Sequence, residues 1–224
     1  VAGLESIEFK IDGEKSSQKL LQLDTLLNPK ECYVITLING IYQTINQTEN
    51  LPTGVTILSL KTALENHSEV IASYLSQHVK TQSQPFAALN TVFMHDGVCI
   101  LLEKNCTFDK PILIQHISDA PQSNPHIRNM IIAEDHVRAN IIEHYDAVAN
   151  DVYFNNVITE VHLKQNTHLE HYKIIEESNN SFHISETVAQ VDKNSHFDSH
   201  VYAFSGQLVR ADTRISLNAE DAHA

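Results

Sequence analysis

A chain of 224 residues, 42% of them hydrophobic, can bury a sizeable core, and six scattered glycines with no tryptophan exclude a fibrous or low-complexity polymer. A formal net charge of -13 with only 15 lysines and arginines excludes a phosphate-backbone binder, which needs clustered cations to displace counterions. No run approaches the ~18 apolar residues of a membrane span, and the N-terminus lacks a basic stretch followed by an apolar one, so a cytoplasmic protein is expected.

In chain order, Cys32 to Leu37 is a β-rich run, and Asn39-Gly40 followed by Ile41 and Tyr42 has the chemistry of a hairpin turn. Val55 to Leu60 is read as a third strand. Ser68 then caps a helix carrying Val70, Ile71, Tyr74, Leu75 and Val79 at helical spacing. Pro85 opens a short helix with Phe86, Ala87, Leu89 and Phe93, and Asp96-Gly97 stops it before the strand Val98 to Leu102. From there onward, strand-like runs alternate with polar turns and no helical period survives.

An internal repeat decides the architecture. Ile114-Gln115-His116-Ile117 matches Ile142-Glu143-His144-Tyr145 and Leu169-Glu170-His171-Tyr172, 28 and then 27 residues apart, and Phe197-Asp198-Ser199-His200 is a degenerate fourth copy. Thr159, Thr187 and Thr213 keep nearly the same period, followed in register by Val161, Ala189 and Ile215, and the polar turns at Asn166, Asn194 and Asp221 repeat with them. A period of this length without helices means one solenoid coil per repeat, buried only by its stacked neighbours. The expected fold is therefore mainly β, a right-handed parallel β-helix with coils of about 27–28 residues, preceded by a small α/β lead-in. Asn and Asp suit the coil corners because they tolerate left-handed backbone angles. Residues 1–84 are assigned to the lead-in and residues 85–224 to the β-helix core, incomplete on its C-terminal side.

On this alignment His116, His144 and His171 form an inward ladder, while Glu143 and Tyr145 face the other way. Such imidazoles can hold a metal, but an inward ladder lacks solvent access, so the structural reading is preferred and no catalytic, cofactor-binding or metal residue is assigned. Gln115, Glu143, Glu170 and Asp198 would share an outward register, read as a solvated stripe rather than a polysaccharide-cleaving cluster. His67, His78, His126, His136, His162 and His183 share no register and are expected mostly on the surface. Cys32, Cys99 and Cys106 lack the paired spacing of zinc or cluster-binding loops; Cys99 and Cys106 are taken as small buried hydrophobes. Neither a phosphate-binding glycine loop nor a nucleophile elbow can be built from these residues.

The run Gln84 to Asn90 (Gln-Pro-Phe-Ala-Ala-Leu-Asn), the Asp96-Gly97 turn and Lys110 to Ile117 (Lys-Pro-Ile-Leu-Ile-Gln-His-Ile), continued by the Glu-His repeats and by Gly206 to Arg210, resemble the entry and coils of the SufD β-helix. The resemblance covers essentially the whole chain, with the paralogous SufB as the rival within the family. It implies a non-enzymatic scaffold subunit of the SUF iron-sulfur cluster assembly machinery, in complex with SufB and the ATPase SufC and pairing through the far end of its β-helix with itself or with SufB. It implies that the cluster is handled by the assembled complex and that this segment binds no cofactor. The regions that carry the family's partner contacts follow the part matched, so no functional residue is carried over. The alternatives are a carbohydrate-active or carbohydrate-binding β-helix, and metal storage or transfer by the histidine ladder.

Overall fold

The computed structural model describes Glu8, residues 26–43 and residues 51–224; the remainder of the expected lead-in, residues 1–7, 9–25 and 44–50, lies outside the described residues. The expected hairpin is present as β1 (Tyr33–Ile38) and β2 (Ile41–Gln43), paired antiparallel. Asn39 and Gly40, at φ 46° and 79°, supply the two left-handed positions that this tight turn requires. Strand β3 (Val55–Ser59) runs directly into α1 (Leu60–Asn66), whose first turn is capped where the Ser59 hydroxyl accepts from the Thr62 amide at 3.0 Å.

The expected Ser68-capped helix is shorter than its apolar spacing indicates. Helix α2 (Ser68–Tyr74) has His67 at its N-cap with no side-chain cap bond, and Leu75 and Val79 lie beyond it. Ser76 turns left-handed at φ 63°, and its amide donates to both carboxylate oxygens of Glu160 at 3.0 Å. A tertiary anchor therefore overrides the helical period. Helix α3 (Pro85–Phe93) begins with proline at its first turn, as expected.

Nine strands follow: β4 (Val98–Leu102), β5 (Ile112–Ser118), β6 (His126–Ala133), β7 (Arg138–Ala147), β8 (Phe154–Leu163), β9 (His168–Glu176), β10 (Phe182–Val191), β11 (His196–Ala203) and β12 (Leu208–Leu217). They alternate between two six-stranded sheets. One has the order β11-β9-β7-β5-β1-β2 and the other β12-β10-β8-β6-β4-β3. Every pairing from β4 onward is parallel, which makes a β-solenoid of about 4 turns; only the lead-in contacts β1–β2 and β3–β4 are antiparallel.

The two sheets face each other across a core of Ile35, Ile100, Ile114, Ile131, Ile141, Val157, Val161, Leu169, Ala189 and Phe197, all buried. Thr159, Thr187 and Thr213 stack in one column, as do Val161, Ala189 and Ile215, so the threonine period is the true coil register of its sheet. Asn166, Asn194 and Asp221 turn the corners at φ 59°, 55° and 54°, and Asn105 and His136 hold the equivalent positions in earlier coils at 63° and 62°. Gly97 enters the solenoid where a Cβ would sit 2.0 Å from the Arg128 carbonyl oxygen, so the backbones touch there and a side chain is excluded.

Candidate functional site

The interior is not uniformly apolar. On the inward face of β7, Glu143 and Tyr145 are fully buried; His171 and Lys173 on β9 and His116 on β5 join them, and Thr159, His183 and Thr187 approach from the opposite sheet. Glu143 accepts hydrogen bonds from Thr159 Oγ1 at 2.6 Å, from His171 Nε2 at 2.9 Å and from the Tyr145 hydroxyl. Lys173 Nζ lies 3.8 Å from the same carboxylate and donates to Thr187 Oγ1 at 3.2 Å. The His116 ring stacks on Tyr145 with centroids 4.3 Å apart, and His183 meets the same ring edge-on at 4.7 Å.

One corner farther, Glu177 accepts from Asn155 Nδ2, lies 3.3 Å from His183 Nδ1 and takes a bond from Ser181 Oγ at 3.3 Å. A polar seam thus links the two sheets through the middle of the coils.

Burial alone raises the Glu143 pKa, but the Lys173 charge and the His171 hydrogen bond outweigh it and hold the carboxyl well below its usual range. Lys173 is lowered by burial, with Glu143 working against that shift. Burial takes His116 down to about 3, so its ring is neutral near neutral pH, and neither of its ring nitrogens has a hydrogen-bond partner among the described residues. A fully buried carboxylate saturated by three donors and an ammonium is held as a fixed charge. Its geometry ties one sheet to the other and fixes their relative register.

This arrangement corrects the expected ladder. β5 meets β7 with Gln115 opposite His144 and His116 opposite Tyr145, and β7 meets β9 with Ile141 opposite His171. The motif repeats in sequence, but the coil corners contain extra residues, so His144 slips one position and His171 three. Each odd slip reverses the face. His116 and His171 are inward, His144 is outward and bonded to Glu176 at 2.9 Å, and Glu143 and Tyr145 point inward, opposite to expectation. The proposed acidic stripe of Gln115, Glu143, Glu170 and Asp198 is likewise broken: only Glu170 and Asp198 are register partners.

Of the six histidines expected mostly at the surface, His126, His162 and His183 are buried, the first two pulled down to about 4 by burial. Cys32, Cys99 and Cys106 are free and buried, and burial pushes Cys99 up to about 12, so none is a ready thiolate nucleophile.

A true outward ladder went unread in the sequence. Arg138, His168 and His196 are successive register partners, and His223 bridges to His196. Beside them, Asp198 accepts from His168 Nε2 at 3.0 Å and from His196 Nε2 at 2.9 Å. Burial pushes its pKa up, but the two histidine hydrogen bonds and the charges of His196 and His168 together outweigh that and leave it lowered. Among the described residues no three histidine, cysteine or carboxylate side chains converge on a point where a metal ion would sit. No described helix is long and apolar enough to cross a membrane.

Outside the second sheet, the buried Arg128 guanidinium pairs with Glu160 at 2.8 Å and donates to Asn90 Oδ1 and Ser76 Oγ, which pins α3 and the segment after α2 to the solenoid.

Comparison with known proteins agrees with this architecture. Residues 116–224 match the family model described as SUF system FeS cluster assembly, SufBD core domain, and residues 26–114 match the SufBD protein N-terminal region. An iron-sulfur cluster assembly SufBD family protein of Synechocystis is 26% identical over 206 residues, covering 87% of this chain and 45% of the relative. The iron-sulfur cluster assembly protein SufD of Escherichia coli is 24% identical over 171 residues, 71% of this chain and 40% of the relative; that of Bacillus subtilis is 26% identical over 111 residues, 48% and 25%. The chain spans less than half the length of these curated relatives. With both family models matched in order along the chain, it belongs to the SufBD family of iron-sulfur cluster assembly proteins.

Proposed function

We propose that this chain serves as a scaffold segment of the SUF iron-sulfur cluster assembly machinery, working in the cytoplasm with SufB and SufC homologues rather than as a catalyst. The observation that carries the reading is the ordered match of the two SufBD models to residues 26–114 and 116–224, and two of the matched relatives carry the name SufD. The chemistry of the interior is consistent with a rigid support: its carboxylate is saturated, and its cysteines are buried. On this reading the cluster is cargo of the assembled complex, and the ATPase chemistry belongs to SufC.

The test is co-expression of the full-length protein with SufB and SufC from the same cell, scored by size exclusion and intact mass. A stable ternary complex supports the scaffold role. A well-folded β-helix that elutes alone from both candidates sinks it.

A further inference from the structure

Glu160 and His162 alternate along β8 with the inward Thr159 and Val161, so both leave the outer face of the second sheet. Glu160 holds the Ser76 amide, and this anchor lays the segment after α2 on that face. The Tyr74 ring thereby comes within 4.8 Å of the His162 ring, and the His78 ring within 6.0 Å, centroid to centroid. His162 is only 6% exposed, and its Nε2 has no hydrogen-bond partner; His78 is exposed and makes no hydrogen bond to the described residues. Both imidazoles line a cavity of about 160 Å³, whose wall also carries Lys164, Gln190 and Asp192.

A buried ring nitrogen without a partner is costly, and a lone pair on imidazole suits a borderline dication better than the oxygen-seeking Mg²⁺ or Ca²⁺. The spacing fits one. An ion about 2.0–2.1 Å from a ring nitrogen lies roughly 3.2 Å from the ring centroid, so a single ion can join two imidazoles whose centroids are up to roughly 6.4 Å apart. His78 and His162 fall inside that limit, and His78 can change rotamer without breaking a hydrogen bond. Asp192 in the wall offsets the Lys164 ammonium, which lies 5.3 Å over the Tyr74 ring. His168 and His196 are closer to each other, at 5.1 Å, but both of their Nε2 atoms are committed to Asp198. No third histidine, cysteine or carboxylate among the described residues converges on the His78–His162 pair, so water completes the shell and the site is open and exchangeable, unlike a closed structural one.

We propose that His78 and His162 form a two-histidine site for an exchangeable borderline dication such as Zn²⁺, Ni²⁺ or Cu²⁺, in the cavity between the segment after α2 and the outer face of β8.

The experiment titrates zinc chloride into the full-length protein after chelator treatment, read by calorimetry, with melting curves in excess zinc as a second measure. Zinc is expected to bind and to raise the melting temperature, because it binds the folded chain in preference to the unfolded one. His78→Ala, at an exposed position, is expected to leave the metal-free melting curve unchanged while weakening zinc binding by at least about tenfold and removing the zinc-dependent rise. His162→Gln should weaken binding likewise; since it alters a buried side chain, His78→Ala carries the result if it fails to fold. The double variant His168→Gln with His196→Gln should bind zinc as the parent does. Zinc affinity weaker than about 1 mM, or unchanged in His78→Ala, overturns the proposal, as does loss of binding in the His168→Gln, His196→Gln control. Inorganic phosphate raising the melting temperature of the parent but not of His78→Ala, with no such effect of zinc, would overturn it by giving the cavity to an anion.

Discussion

Glu143 and Lys173 are register partners on successive coils, and their side chains meet inside the solenoid at 3.8 Å with almost no solvent contact. Two opposite charges in that setting are stable only together, because each would otherwise sit desolvated and unpaired. Glu143→Ala is therefore expected to cost about 3–5 kcal/mol in urea unfolding, by stranding Lys173. The double change Glu143→Leu with Lys173→Met should recover much of that loss, since well-packed apolar replacements of a buried pair are often neutral. A double variant as unstable as Glu143→Ala would mean that the seam matters for more than its charge balance.

The buried imidazoles make stability fall on the acid side. Burial takes His116 down to about 3 and His126 and His162 to about 4, all below the ordinary histidine value of 6.5. Below pH 6.5 the unfolded chain takes up protons that the folded chain refuses, so stability is fully present above that pH and declines as pH falls toward 3. Glu143 adds to the decline below the ordinary glutamate value of 4.5, because its folded pKa is depressed. His116→Phe, which keeps a ring against Tyr145, is expected to flatten the slope of unfolding free energy between pH 6 and 4. Denaturant titrations across that range measure it, and an unchanged slope would remove His116 from the account.

The corners offer a backbone test. Asn194 sits at φ 55°, and its amide side chain donates to Asn166 Oδ1 on the next corner at 3.1 Å. Asn194→Gly should change stability by no more than about 0.5 kcal/mol, since glycine reaches this region freely. Asn194→Val should cost about 1–2 kcal/mol, because a β-branched residue there clashes with its own carbonyl. Thermal melts of the two variants side by side separate the backbone effect from the lost side-chain bond.

What the sequence made legible follows the same physics. The threonine column and the Asn corners were readable because a left-handed corner admits few residues and because the second sheet repeats nearly in step with the chain. The Glu-His repeat misled because corners of unequal length shift β7 and β9 by odd numbers, and identical motifs then land on opposite faces. Lys173 was discoverable: it alternates with Leu169, His171 and Ile175, and that period of two places a cation among core residues. Helix α1 went unseen because Ser59 ends a strand and caps a helix at once, with no polar break between them. Arg128 and Glu160 gave no local signal at all, since what buries them comes from α3 and the Ser76 turn, far away in the chain.

That last pair governs how the helical layer is held. Glu160 is bonded to the Ser76 amide and to the Arg128 guanidinium, and Arg128 reaches Asn90, whose own side-chain amide donates to the backbone carbonyls of Ile127 and Asn156 at 2.9 Å. Arg128→Met leaves the Glu160 carboxylate buried with fewer donors, at an expected cost of about 3 kcal/mol. The damage should be local. The helices touch the sheet through a few side chains, whereas β8, β9 and β10 are held by long parallel ladders, so the helical layer can open as a unit of lower stability. Hydrogen exchange is expected to show lost protection at the amides of α3 and at Ser76, with the amides of β9 and β10 unchanged. Uniform loss across the solenoid would mean instead that the helical layer and the coils unfold as one.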